Sequence, residues 1–247
     1  MILIDNKEGL VGDFLGTIPA MQALHKDDSD VVVKVHPEAE GLFDLIKGNG
    51  LIKFNDSMKN IESKFDKEIT FNSSEAFGIA NTYNWYMTQA FMKQAGLEVP
   101  EIAPKAKLNY GSSSIPLPLI DYLISPFARS LPLDQKWQRE KWQELVNKLK
   151  NKTFGVLGNY KYDDPMYLNG KNVRLFYSLS FDFLCRLFIN SKALISVVTG
   201  TSHLAFHLGL KNILLTNQFM TWGNNPEAIK LTRNIHDIQI NEVIEKL

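Results

Sequence analysis

Apolar runs of strand length alternate with segments of helical periodicity along most of this 247-residue chain. That alternation restricts the fold more than any other feature. "MILI" reads as a buried strand, "FLGTIPAMQALHK" as a helix with Leu15, Ile18 and Met21 on one face, and "DVVVKV" as a second strand. Strand, helix and strand within about 35 residues predict a βαβ unit, because parallel strands need a crossover connection. Pro19 leaves two placements for the helix. It starts at Thr17 with the proline in its first turn, or near Asp13 with a kink.

The same alternation returns in the second half. "LIDYLIS" reads as a strand. "QREKWQELVNKLKN" reads as a helix with Trp142, Leu145, Val146 and Leu149 at i, i+3, i+4 and i+7. "TFGVLG", "ALISVV" and "NILLT" are further strands, and "INEVIEKL" is a terminal helix. "SFDFLCRLFINS" is a helix with Phe181, Leu184, Cys185 and Phe188 on one face, and "HLAFHLG" is a helix ended by Gly209. In residues 36–110, "GLFDLI" reads as helix and "GLIKF" and "KEITF" as short strands. An aromatic-rich stretch, "SSEAFGIANTYNWYMTQAFMKQAGL", makes one or two helices there. Its rings either fill the core or stack on a sugar or a lipid-linked acceptor. Residues 98–118 carry four prolines and a serine run, the mark of a connection. The expectation is an α/β chain of two Rossmann-like lobes with parallel sheets, residues 1–110 and 111–247. Ligands of such sheets bind at the carboxyl ends of the strands.

Composition narrows the function classes. Lys plus Arg and Asp plus Glu both total 27, so no whole-chain basic surface argues for nucleic acid. Cys185 is the single cysteine, which excludes an intrachain disulfide and fits a reducing compartment. The N-terminal apolar run is too short for a signal peptide, and no run approaches the ~20 residues of a membrane span. A cytoplasmic location is expected.

Four strand-to-helix junctions carry residues suited to chemistry. In "SVVTGTSHLAFHLG" (196–209), Gly200 allows close backbone approach, Thr201 or Ser202 serves as cap, and His203 sits in the first turn. A helix N-terminus attracts anions, so the junction is either a diphosphate site or only a cap. In "EGLVGDFLGTIPA" (8–20), Asp13 is either a dipole partner or a general base. In "SPFARSLPLDQKWQREKW" (125–142), Arg129 and Lys136 are candidate phosphate ligands. Trp137 and Trp142 are core or lid aromatics. In "LGNYKYDDPMYL" (157–168), Asp163 and Asp164 either reach a ribose or form a plain turn.

Taken in order, these segments resemble glycosyltransferase family nine, the heptosyltransferases of GT-B fold. The resemblance rests on Gly12-Asp13 with Thr17-Ile18-Pro19, on Pro126 to Ser130 with Lys136-Trp137, and on Val198-Thr199-Gly200-Thr201-Ser202-His203-Leu204-Ala205. It covers roughly residues 1–35 and 120–220. It implies inverting, metal-independent transfer of a sugar, typically heptose, from a nucleoside-diphosphate donor, ADP-linked first. The acceptor would be a glycan or lipid-linked glycan, as in lipopolysaccharide or surface-glycan synthesis, with peripheral membrane contact in the lipid-linked case. No cofactor and no metal are implied.

By position, Asp13 is the implied general base, with Gly12 and Thr17 on the acceptor side. Lys136, Arg129 and Ser130 would meet the donor phosphates. Thr199, Gly200, Thr201, Ser202 and His203 would hold the diphosphate. Asp163 or Asp164 would reach the ribose, and Leu179 would pack near the base. The sequence departs from the pattern at Val198, where the family carries an aspartate, at Phe127 and Arg129, and in a reduced first lobe. These departures keep open a non-catalytic nucleotide-sugar-binding relative, and the fold also hosts epimerases.

Overall fold

The computed structural model describes residues 1–6, 11–26, 30–47, 50–55, 58, 65–111, 116–128, 136–165, 167–217 and 225–247. The chain divides into two compact units, Met1–Asn109 and Tyr110–Leu247.

The first unit contains β1 (Ile2–Asn6), α1 (Val11–Lys26), β2 (Val31–Val35), α2 (Glu40–Asp44), β3 (Leu51–Lys53), β4 (Lys67–Thr70), α3 (Ser73–Tyr83) and α4 (Met87–Gln94). The four strands are parallel, in the order β3-β2-β1-β4. Leu3, Ile4 and Val31 to Val33 are buried, as the unbroken apolar runs of a covered parallel sheet require. Helix α1 begins at Val11, so Pro19 lies in its interior. Every residue from Phe14 to Met21 is buried. The Thr17 hydroxyl donates to the Phe14 carbonyl and accepts from Asn6 Nδ2, both at 2.8 Å, which ties the helix to the end of β1. Helix α4 packs closely on α1. A Cβ at Gly16 would stand 3.0 Å from the Phe91 ring, so only glycine fits without a shift.

The second unit contains β5 (Tyr122–Ser125), α5 (Arg139–Lys148), β6 (Phe154–Gly158), β7 (Val173–Tyr177), α6 (Phe181–Ile189), β8 (Ala193–Val197), α7 (Gly200–Leu208), β9 (Asn212–Thr216), β10 (Ile229–Thr232) and α8 (Ile240–Glu245). Its six strands are parallel, in the order β10-β9-β8-β5-β6-β7. Trp137 is a core residue rather than a lid. It is 1% exposed, its Nε1 donates to the Ile238 carbonyl at 3.1 Å, and its ring meets Trp142 edge-on at 4.7 Å. In α6 the buried residues run consecutively from Cys185 to Phe188, while Phe181 and Leu184 are only half-buried. The expected one-sided stripe is therefore replaced by a C-terminal half enclosed on several faces. Strands β7 and β10 were not anticipated from sequence, and both lie at sheet edges.

Asp121 anchors the entry to β5. Its carboxylate accepts from the Thr153 N–H at 2.9 Å and the Thr153 hydroxyl at 3.0 Å, and it pairs with Lys192 at 2.6 Å. The Lys192 ammonium and the Thr153 backbone bond hold its pKa down to about 2. A depressed carboxylate contributes stability that is complete above the unfolded value of about 4. That contribution is lost as the pH falls through the folded value. Asp121→Asn is expected to shallow the acid-unfolding slope between those pH values, measured by circular dichroism. An unchanged slope would remove Asp121 from the acid response.

Candidate functional site

In the second sheet the chain moves from β5 outward through β6 and β7, then returns to β8 on the other side of β5. The crossovers therefore diverge between β5 and β8, the place where open α/β sheets leave a crevice at their carboxyl ends. Ser125 at the end of β5 is in register with Ser196 of β8. The Thr201 hydroxyl donates to Ser125 Oγ at 2.8 Å and joins the two strand ends.

Helix α7 opens at this crevice with Gly200. Thr199 occupies its N-cap position but makes no side-chain capping bond, and the Ser202 N–H turns back to the Thr199 carbonyl at 2.9 Å. The first-turn N–H groups thus keep their partial positive charge without a side-chain cap. Thr199, Gly200 and Thr201 are half-buried and line the turn. Ser202, expected to cap or to hold the diphosphate, is fully buried, and its Oγ has no hydrogen-bond partner among the described residues. His203 is 9% exposed, and burial pushes its pKa down to about 4. It offers a neutral imidazole at pH 7 rather than a cation.

Beyond β5 lies a cavity of about 520 Å³, lined by Phe127, Lys136, Arg139, Asp163, Asp164 and Tyr167 among others. The structure thus brings Lys136 together with the two aspartates. Asp163 Oδ2 accepts from the Asn159 N–H at 2.8 Å, the geometry of a turn, and Asp164 stands 3.8 Å from Arg139. Phe127 packs edge-on against Tyr167 at 4.8 Å and forms part of the wall. Arg139 was not singled out from sequence. Its signal was its place at the first position of α5, three residues after Lys136. Its Nε donates to the Tyr167 carbonyl at 2.7 Å. Leu179 is half-buried, between Ser178 in left-handed backbone (φ 51°) and Ser180, which caps α6 by accepting from the Phe183 N–H. Arg129 and Ser130 lie outside the described residues.

The first sheet has its own divergence between β1 and β4. Asp13 is half-buried in the first turn of α1, the helix that follows β1, with Gly12 beside it. Thr17, expected on the acceptor side, is fully buried, with its hydroxyl donating to Phe14 and accepting from Asn6. These bonds hold the helix against β1. Among the described residues no three His, Cys, Asp or Glu side chains gather as a metal-ligating group, and no helix is long and apolar enough to cross a membrane.

No protein-family model and no curated protein matches the chain at the level of sequence. Solved structures do match it. It superposes on the ADP-heptose LPS heptosyltransferase II of E. coli with a TM-score of 0.74 at 14% identity, covering 99% of this chain and 96% of that one. A glycosyl transferase family 9 protein from Veillonella parvula gives 0.74 at 12% identity, with 99% and 95% covered. The E. coli heptosyltransferase WaaC with ADP gives 0.65 at 16% identity, with 99% and 98% covered. At these identities the likeness establishes the fold, a GT-B-like pair of α/β units with parallel sheets.

Proposed function

We propose that the chain is a glycosyltransferase that moves a sugar, heptose first among candidates, from a nucleoside-diphosphate donor to a hydroxyl of a glycan or lipid-linked glycan. The observation that carries this reading is the uncapped Thr199-Gly200-Thr201 turn at the β5/β8 divergence, tied to β5 by the Thr201–Ser125 bond. The chain leaving β5 there enters the wall of the Lys136 cavity. A diphosphate at that turn would face a helix N-terminus, a lysine and small hydroxyl side chains, a set suited to stabilising a leaving anion without a metal. The fold shared with a heptosyltransferase solved with ADP supports an adenine-linked donor. His203, held neutral, would donate a hydrogen bond without adding charge.

Asp13 would take the proton from the acceptor hydroxyl as the sugar carbon develops oxocarbenium character, and attack from the side opposite the diphosphate would invert the anomeric centre. Asp163 or Asp164 would meet the ribose in the cavity. A lipid-linked acceptor would bring the protein to a membrane surface.

Calorimetric titration with ADP, GDP, UDP, dTDP and CDP tests the cradle. Binding of at least one is expected, with ADP the tightest. Removing the charge-assisted bond in Lys136→Ala should weaken that binding roughly ten- to a hundredfold. Failure of all five nucleotides to bind would overturn the proposal.

A second reading is favoured by Val198, which packs its apolar side chain against the core where the resembled family carries an acid. A nucleotide-sugar-binding protein without turnover would bind the donor and release no nucleoside diphosphate in the presence of a glycan extract. Release that depends on Asp13 would reject it.

A further inference from the structure

The aromatic-rich stretch between β4 and the proline-bearing connection is divided by the structure. Tyr86, Met87 and Phe91 are buried, whereas Tyr83 is 50% exposed. Tyr83 ends α3, Trp85 lies in the turn before α4, and their rings stack with centroids 4.6 Å apart and planes inclined by 20°. Residues two apart on a helix point in different directions, so this stack needs a chain reversal. Asn84 supplies it with left-handed backbone (φ 54°), and the Trp85 N–H then reaches the Ala80 carbonyl at 2.9 Å. Lys93 of α4 completes the group. Its Nζ stands 4.0 Å from the Tyr83 ring centre and donates to the Tyr83 hydroxyl at 2.9 Å. Exposed Asn81, Thr82 and Asn84 adjoin the pair in sequence.

The half-exposed Tyr83 ring, stacked on Trp85 and set beside amide, hydroxyl and ammonium groups, has the chemistry of a sugar ring in reverse. The C–H face of a pyranose is apolar and stacks on a ring, while its edge carries hydroxyls that need donors and acceptors. Charge argues against an anionic bilayer as the occupant. Residues 73–94 contain one acid, Glu75, and one base, Lys93, whereas lipid headgroups attract clusters of basic residues. The eleven residues of α3 place Tyr83 about 16 Å along the helix from the carboxyl end of β4. The group therefore stands apart from the strand ends of its own sheet.

We propose that Tyr83, Trp85 and Lys93 form a carbohydrate-binding platform that takes a pyranose ring of a glycan chain away from the strand ends of the first sheet. The proposal rests on this geometry and stands whether or not the chain transfers sugar.

The test is calorimetric titration of the full chain with cellotetraose, maltotetraose and triacetylchitotriose, beside sedimentation with vesicles of phosphatidylglycerol and phosphatidylcholine. At least one saccharide is expected to bind with about millimolar affinity. Tyr83→Ala should weaken it roughly tenfold or more, with an unchanged thermal midpoint. Lys93→Met, which keeps the stem and loses the donor, should weaken it several-fold, and it serves if Tyr83→Ala folds poorly. No binding of any of the three saccharides, or equal affinity in both variants, overturns the proposal. Tyr83-dependent binding to vesicles without saccharide binding overturns it in favour of a membrane contact. Nucleotide titration of the same variants is a separate experiment, so the failure of one proposal is distinguishable from the failure of the other.

Discussion

Replacing Asp13 with Asn is expected to lower donor turnover by about 10²- to 10⁴-fold, the usual contribution of a positioned general base. The substitution keeps the size and polarity of the side chain and removes only its ability to accept a proton. Asp13 sits in the first turn of α1, where a carboxylate also interacts favourably with the helix N-terminus. Loss of that interaction costs about 0.3–1 kcal/mol, so the fold should persist. The two effects separate by measurement. Nucleoside-diphosphate release from the bound donor should collapse, while the thermal midpoint should move by only a few degrees and donor affinity should hold. Full turnover in Asp13→Asn would end its assignment as the base. A collapse of donor affinity would point to a binding role instead.

Acidification is expected to destabilise the second unit through His203. Its imidazole has a pKa near 6.5 when exposed and about 4 when buried beneath the first turn of α7. Between those values the unfolded chain takes up a proton that the native fold refuses. Stability is therefore complete above about pH 6.5 and falls as the pH drops toward 4. At 1.36 kcal/mol per unit the loss by pH 4.5 is roughly 2–3 kcal/mol. Urea unfolding at pH 7.5 and 4.5 measures it. His203→Gln, which does not titrate, should lose less over the same interval by about that amount. Equal losses in the two proteins would mean that other groups carry the acid response.

The local parts of this molecule were legible in sequence, and the non-local parts were not. The βα alternation announced parallel sheets because β1, β2, β6, β8 and β9 each carry a largely buried apolar run of at least three residues. Strand β7 escaped for the opposite reason. It lies at an edge with Arg174 and Leu175 exposed and only Tyr177 buried, so "VRLFY" shows neither alternation nor full burial. The start of α1 was ambiguous because Pro19 contradicts a helix interior. The structure starts α1 at Val11 with Pro19 inside it, and the Thr17–Asn6 bond that ties this stretch to the end of β1 could not be read from local sequence. At the candidate site, glycine and hydroxyls between a β-branched run and a helix marked Thr199 to Thr201. What sequence could not supply was the neighbour. Thr201 meets Ser125 across 76 residues, and only the order of the strands brings them together. The burial of Ser202 and Thr17 was not legible either, because residue type says nothing of which way a side chain turns on a buried helix.

Helix α3 buries only Ala76 and Ala80. Two methyl groups one turn apart are a slender attachment, and Gly78 between them adds no side chain. The amides of α3 should consequently exchange with deuterium through local opening, well before those of α4, which buries Met87 through Met92. Any glycan seated on Tyr83 at its end would be felt along the whole helix, as protection acquired by amides it never touches.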